Sequence, residues 1–226
     1  NKALIKIARE IAPQLLVVMG GPNIKKTPEG VEEFLVNHPA DMHVVNEGEE
    51  AFSMIVEYLL GLWPCNLRHA ISTSGIKFEN AAYLESETQN LMLGEKPKSA
   101  LEKNIPFPSP WLTGVLDPFI NNNSFPFQSL IETNRNCPYQ CHFCVWGDFD
   151  LNSIRLFDFD TVIEELRYIF KKTESHFNLW IADANFGILD RDIQIAEELR
   201  RLSDKFKTID FVCISQAKNS VKRNLE

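Results

Sequence analysis

Three cysteines fall within eight residues of this sequence, in the run Asn136-Cys137-Pro138-Tyr139-Gln140-Cys141-His142-Phe143-Cys144, with the spacing C-x3-C-x2-C. Thiolates are soft ligands that suit iron–sulfur clusters or zinc. A four-iron cubane in an electron-transfer protein normally takes four cysteines. Here one short loop offers three, and Cys213 lies far along the chain. Three ligands leave one iron with an open position, and an open metal site is where a substrate or cofactor coordinates. The spacing therefore points to a reactive cluster rather than a purely electron-carrying one. Two plainer readings stand beside it. Zinc would need His142 as a fourth ligand, but its adjacency to Cys141 makes tetrahedral closure awkward, and no paired C-x2-C knuckle follows. Three structural cysteines gathered by chance is the other.

The loop must be held by regular elements, and its flanks supply them. Ser129-Leu130-Ile131 reads as a strand leading straight into the cysteines. Asp160 or Thr161 is expected to cap a helix, Thr161 with Glu164 forming a capping box, and Val162, Ile163, Leu166, Ile169 and Phe170 repeat along one face. Leu179 to Ala182 reads as a second strand, and Ile195, Leu199, Leu202 and Phe206 as the buried stripe of the next helix. Phe211 to Ile214 is a third strand. Strands each followed by a helix suit a parallel barrel or an open sheet. Ligands in such folds sit at the carboxyl ends of the strands. Cys137–Cys144, Ala182-Asp183-Ala184-Asn185 and Ser215-Gln216 all fall there.

The first sixty residues alternate in the same way. Leu4, Ile7, Ala8 and Ile11 recur at helical spacing before Pro13, and Leu15 to Met19 is a short apolar run ended by Gly20-Gly21-Pro22. Thr27 and Pro28 look like an N-cap and first helical residue, with Val31, Phe34 and Leu35 turned inward. Met42 to Val45 is a second strand, followed by Glu47-Gly48-Glu49, where the two acids flanking a glycine read as a loop. A helix with Phe52, Ile55, Val56 and Leu59 comes next. This order implies parallel pairing, the tail of a doubly wound sheet. Prolines then punctuate a connector over 63–127, in which Ile71 to Phe78, around Ser74-Gly75, is a candidate hairpin.

Composition narrows the function. The 226 residues are 44% hydrophobic and 24% charged, as in an ordinary globular chain. With 23 Lys and Arg against 31 Asp and Glu the formal net charge is −8, which gives no general attraction for a phosphate backbone, so no nucleic-acid partner is expected. No apolar run approaches the roughly 20 residues that span a bilayer, so no membrane span is expected. Five cysteines without a secretory signal argue against a disulfide framework and for a reducing, cytoplasmic setting. The chain opens on Asn rather than Met and reads as a piece of a longer protein. No Ser-His-Asp order, P-loop or paired catalytic carboxylates stand out.

The cysteine loop resembles the signature of the radical S-adenosylmethionine (radical SAM) superfamily, C-x3-C-x-(aromatic)-C at the end of the first barrel strand. The resemblance implies that Cys137, Cys141 and Cys144 hold a 4Fe-4S cluster. It implies that the fourth iron takes the amino and carboxylate groups of S-adenosylmethionine, and that Phe143 packs near the adenine. Reduction would then cleave the sulfonium and give a 5′-deoxyadenosyl radical that takes hydrogen from substrate. Pro108-Ser109-Pro110-Trp111-Leu112-Thr113-Gly114, Cys144-Val145-Trp146-Gly147 and Ile181-Ala182-Asp183-Ala184-Asn185-Phe186-Gly187 resemble the cobalamin-binding branch of that superfamily. Val17-Val18-Met19-Gly20-Gly21-Pro22 and Val45-Asn46-Glu47-Gly48-Glu49 resemble two loops of its Rossmann-like domain, implying that Gly20, Gly21, Glu47 and Gly48 approach the cobalamin.

The implied fold is α/β: the C-terminal part of a Rossmann-like cobalamin-binding domain (1–62), the Pro-rich connector (63–127), and the first βα units of a partial (β/α) radical SAM barrel (128–226). Two departures qualify it. The usual Gly-Gly-Glu after the second strand is replaced by Ala182-Asp183-Ala184-Asn185, so Asp183 either takes over the acceptor role toward the methionine amino group or only caps the turn. The front of the cobalamin domain, where a histidine motif would decide whether an imidazole ligates cobalt, is not within this sequence, and His38, His43 and His69 read as ordinary surface or loop histidines. Asn185 and Ser215, with Gln216 beside it, complete the expected SAM contacts, and Trp146 is a polarisable surface beside the cluster. The implied activity is cobalamin-dependent methylation of an unactivated carbon in a small-molecule substrate, with flavodoxin or ferredoxin as electron donor. The alternatives are other radical rearrangements or cyclisations, the same radical chemistry without cobalamin, and a non-catalytic module whose cysteines hold a metal-stabilised loop.

Overall fold

The computed structural model describes residues 2–21, 26–45, 47–62, 65–96, 103–121, 127–144 and 153–219. The chain parts into two compact units, 1–101 and 102–226, so the connector expected over 63–127 is shared out between them.

In the first unit, α1 (Lys2–Ile11) leads to β1 (Val18–Met19), α2 (Pro28–Asn37), β2 (Met42–Val44), α3 (Glu49–Leu62) and α4 (Leu67–Ser72). The Thr27 hydroxyl accepts from the Gly30 N–H at the start of α2, with proline at the first position, as the sequence predicts. β1 and β2 pair in parallel, Val18 opposite Met42 and Met19 opposite His43. The parallel order stops there. β3 (Ala81–Leu84) and β4 (Leu91–Leu93) extend the sheet antiparallel, giving the order β1-β2-β3-β4. The hairpin expected at Ile71–Phe78 does not form there: Ile71 lies in α4, the Ser74 hydroxyl holds the following turn by bonds to the Ile71 carbonyl and the Tyr83 hydroxyl, and the hairpin lies later in the chain, at β3 and β4. Gly94 follows β4 so close to the Phe78 carbonyl that a Cβ there would drive backbone into backbone.

Both faces of this sheet are covered. Met42, Val44, Ala81 and Tyr83 pack with Ala51, Ile55, Leu59 and Ile71, while Val45 and Ala82 pack with Val31 and Leu35. Burial on both sides explains why β2 reads as a continuous apolar run. The apolar stripe of α1 behaves differently, for only Ile5 is buried and Leu4, Ile7 and Ile11 are exposed. α1 is tied instead by Arg9, which donates to Asp41 at 2.7 Å; the same carboxylate accepts from Arg68 and from the Val17 N–H.

His43 corrects the expectation of an ordinary surface or loop histidine. It sits in β2 fully buried, its Nδ1 3.1 Å from the Met19 carbonyl oxygen and its ring against Phe34, while among the described residues no hydrogen-bond partner meets Nε2. Burial holds its pKa below the ordinary value of 6.5. The native state therefore disfavours the proton that the unfolded chain accepts, so this contribution is full above pH 6.5 and is lost as pH falls below it. His43→Leu is expected to flatten the acid side of the stability profile by up to about 1.4 kcal/mol per pH unit. Urea unfolding of both proteins across that range checks it; identical pH profiles would contradict it.

The second unit is a parallel sheet of β5 (Phe127–Ile131), β8 (Phe177–Phe186) and β9 (Ile209–Gln216) in the order β5-β8-β9, with β6 (Asn134–Arg135) and β7 (Arg155–Leu156) as a separate antiparallel ribbon. Ile131, Ile181 and Ile214 stand in register across it. α5 (Phe159–Lys172) and α6 (Arg191–Phe206) supply Val162, Leu166, Ile169, Phe170, Ile195 and Leu202 to a core with Ile131, Leu179 and Ile181. On the other face Leu130, Trp180 and Phe211 are exposed. The helix cap is Asp158, not Asp160 or Thr161: its Oδ1 accepts from the Thr161 N–H and hydroxyl, which makes Thr161 the third helical residue. The Trp111 indole donates to the Leu130 carbonyl from within the core, and the Leu112 N–H bonds the Ser109 hydroxyl, so the Pro108–Gly114 run acts as a packing clamp under β5.

Candidate functional site

β6 stands between β5 and the cysteines and pairs with β7 beyond them, so the strand does not enter the loop directly as expected. Its turn is fixed by one buried carboxylate. Asp183, 1% exposed on β8, accepts from the Thr133 N–H at 2.7 Å, the Thr133 hydroxyl, the Asn134 N–H at 3.2 Å and the Asn134 side-chain amide at 2.8 Å. Burial pushes its carboxyl up to about 6, while these donors pull the other way. Of the two roles the sequence leaves open for Asp183, this geometry is the turn-holding one. Arg191 staples the same region: its guanidinium donates to the Thr133 and Phe157 carbonyls at 2.9 and 2.8 Å. At the start of the loop Asn136 takes a left-handed conformation, φ 73°, and its amide bonds the Ser153 carbonyl. Asparagine tolerates that region better than most side chains.

Cys137 follows, buried, and its Sγ accepts a hydrogen bond from the Asn185 side-chain amide at 3.0 Å. Asn185, a residue the resemblance assigns to S-adenosylmethionine, thus has its amide on this sulfur. Cys141 and Cys144 are half-buried and share a turn in which the Cys144 N–H bonds the Cys141 carbonyl. Phe143 is 85% exposed, with the Lys218 ammonium 5.8 Å from its ring centre. Ser215 is exposed near the carboxyl end of β9. Trp146 and Gly147 lie outside the described residues. Cys65 belongs to the other unit, and Cys213, in register with Trp180 on β9, is apart from the loop in sequence and element.

In the first unit Gly20-Gly21 and Glu47-Gly48 follow the ends of the parallel pair β1 and β2. Gly21 has φ +113°, which a side chain rarely adopts, and a Cβ there would meet nothing within 4 Å; at Gly20 and Gly48 it would touch only Val44, at ordinary contact distance. Among the described residues, the glycines thus leave open space at the strand ends. Asn80, with φ 57°, holds this loop: its amide donates to the Glu47 carbonyl at 2.6 Å and its carbonyl accepts from the Val45 N–H. Asn46 lies outside the described residues.

With this geometry in view, comparison with known proteins decides the kinship. The chain is 32% identical over 225 residues to a 2-(S-pantetheinyl)-carbapenam-3-carboxylate methyltransferase of Streptantibioticus cattleyicolor. It is 32% identical over 222 residues to TokK, a cobalamin-dependent radical SAM methyltransferase of Streptomyces tokunonensis. The chain is a homologue of cobalamin-dependent radical SAM methyltransferases. These matches take in 98% and 96% of the chain but only 30% of either methyltransferase, so the chain spans under a third of their length. The fold agrees. The cobalamin-dependent S-adenosylmethionine radical enzyme OxsB, with aqua-cobalamin and S-adenosylmethionine bound, superposes with a TM-score of 0.54 at 18% identity, over 92% of this chain and 27% of that one. The radical S-adenosylmethionine methyltransferase TsrM of Kitasatospora setae gives 0.51 at 16%, over 98% and 38%. No protein-family model matches.

The donor set fits iron–sulfur chemistry: one loop offers three soft thiols, one of them buried and accepting an N–H. Among the described residues, no three His, Cys, Asp or Glu side chains are gathered as a single bound metal ion would hold them. Sequence reasoning missed Thr133, Asn134, Arg191 and Asn80. Asn136 and Asn80 did carry a signal, since a lone asparagine at a turn is a frequent left-handed residue.

Proposed function

We propose that this chain forms part of an enzyme that methylates an unactivated carbon of a small-molecule substrate, using a 4Fe-4S cluster, S-adenosylmethionine and cobalamin. The observation that carries the proposal is the three-thiol loop at the carboxyl end of a parallel sheet, in a homologue of such methyltransferases. Once bound, the three groups supply reductive cleavage of a sulfonium, hydrogen-atom abstraction and a transferable methyl group.

The chain's own residues bind, orient and shield. Cys137, Cys141 and Cys144 are the iron ligands, and closure of the loop around iron accompanies assembly. Asp183 and Arg191 hold the turn that presents Cys137. Phe143 and Ser215 face S-adenosylmethionine, Phe143 with an exposed ring ready to stack on adenine. Gly20, Gly21, Glu47 and Gly48 line the cobalamin, with unit 1–101 as its binding part and unit 102–226 as the opening of the barrel. A flavodoxin or ferredoxin supplies the electron.

Anaerobic incubation of the full-length protein with reductant and S-adenosylmethionine tests the reading. Release of 5′-deoxyadenosine, together with cobalamin absorbance that survives gel filtration, is expected. A protein that retains only stoichiometric zinc and releases no nucleoside would contradict it.

A further inference from the structure

We infer that Asn185 is a positioning residue for the Cys137 sulfur, and that its N–H···S bond raises the reduction potential of the cluster that sulfur ligates. The inference rests on the reading of Cys137 as an iron ligand. Asn185 and Cys137 are each 8% exposed, and 3.0 Å separates Nδ2 from Sγ.

The donor is aimed by the fold. Ile181 pairs with Ile214 and Phe186 with Gln216, so β8 carries three more residues than β9 between these two points. That bulge holds both Asp183 and Asn185. Two residues apart, they meet the chain at Thr133–Asn134 and then at Cys137, so the strand tip runs alongside the cysteine turn. Beyond Asn185 the Phe186 carbonyl accepts from the Ala217 N–H, which ties the tip to the end of β9. Asn185 is fixed on both sides, with its amide on the sulfur.

A reduced cluster holds one more electron, and part of that charge resides on the thiolate sulfurs. A dipole with its positive end on sulfur therefore favours the reduced state, and burial strengthens the effect because little water screens it. Hydrogen bonds to cluster sulfurs are among the factors that set such potentials.

Asn185→Leu keeps the bulk and removes the donor; Asn185→Asp keeps the shape and replaces the donor with an acceptor. In the reconstituted full-length protein both are expected to retain wild-type iron and sulfide. Potentiometric titration followed by paramagnetic resonance should show the Leu variant's reduced-to-oxidised ratio falling about tenfold at fixed solution potential, equivalent to about 59 mV for one electron. The Asp variant should fall further, and it carries the test alone if Leu blocks assembly. Affinity for S-adenosylmethionine, read from the perturbation of the same spectrum, should stay within about twofold. Variants with intact clusters at the wild-type potential would overturn the inference, and so would lost S-adenosylmethionine affinity at that potential, which would place Asn185 on the cofactor. Should Cys137→Ala assemble the same cluster, the ligand reading fails and the inference with it.

Discussion

Cys141→Ala in the full-length protein is expected to abolish cluster assembly, from about four irons per chain to near zero, whereas Cys65→Ala and Cys213→Ala keep the full complement. The loop offers three thiols and no fourth within it, so losing one leaves too few ligands. His142 is adjacent to position 141 and ill placed to substitute for it. Cys65 lies exposed in the first unit, and Cys213 belongs to β9, in register with Trp180. Iron and sulfide analysis after anaerobic reconstitution reads the outcome. Equal loss in the Cys141 and Cys213 variants would contradict the ligand assignment.

Asp183→Ala is expected to cost the second unit about 3 kcal/mol or more and to prevent stable cluster assembly. Four donors from Thr133 and Asn134 converge on this buried carboxylate. Truncation leaves them unsatisfied in a site closed to water, the kind of loss that costs several kcal/mol. The same residue gives stability a definite pH dependence. Its carboxyl is pushed up to about 6, chiefly by burial, from an ordinary 3.8. A raised native pKa means that the folded state binds the proton more tightly, so this contribution is full below pH 3.8 and is lost as pH rises through 6. The loss is on the order of 2–3 kcal/mol between those limits. His43 acts in the opposite direction from its own, lowered pKa. The readout is therefore the difference between wild type and Asp183→Asn in urea unfolding at several pH values. That difference should change across pH 4 to 6, roughly the interval between the unfolded and native pKa values; a flat difference would contradict the buried-carboxylate account.

Local signals carried much of this fold. Thr27-Pro28 announces α2, and the Val162–Phe170 stripe announces α5. What stayed illegible depends on long-range pairing. β3 and β4 are only four and three residues long, and the small side chains of Ala81 and Ala82 give β3 no alternating pattern. Their place is set by pairing with β2, which no local window contains. Asp183 illustrates the same limit at the site. Its type and position at a strand end suggested an acceptor, but the partners that claim it lie about fifty residues earlier. His43 looked ordinary because the feature that defines it, a cover of Phe34 over a ring bonded to Met19, comes from two other elements.

The proposed function requires an iron left open by three thiolates. Paramagnetic resonance of the reduced, reconstituted full-length protein, recorded with and without S-adenosylmethionine, reads that open position. A spectrum whose g-values shift on addition is the predicted result. A well-formed 4Fe-4S spectrum indifferent to S-adenosylmethionine would mean that a protein side chain fills the fourth position, and would contradict the account.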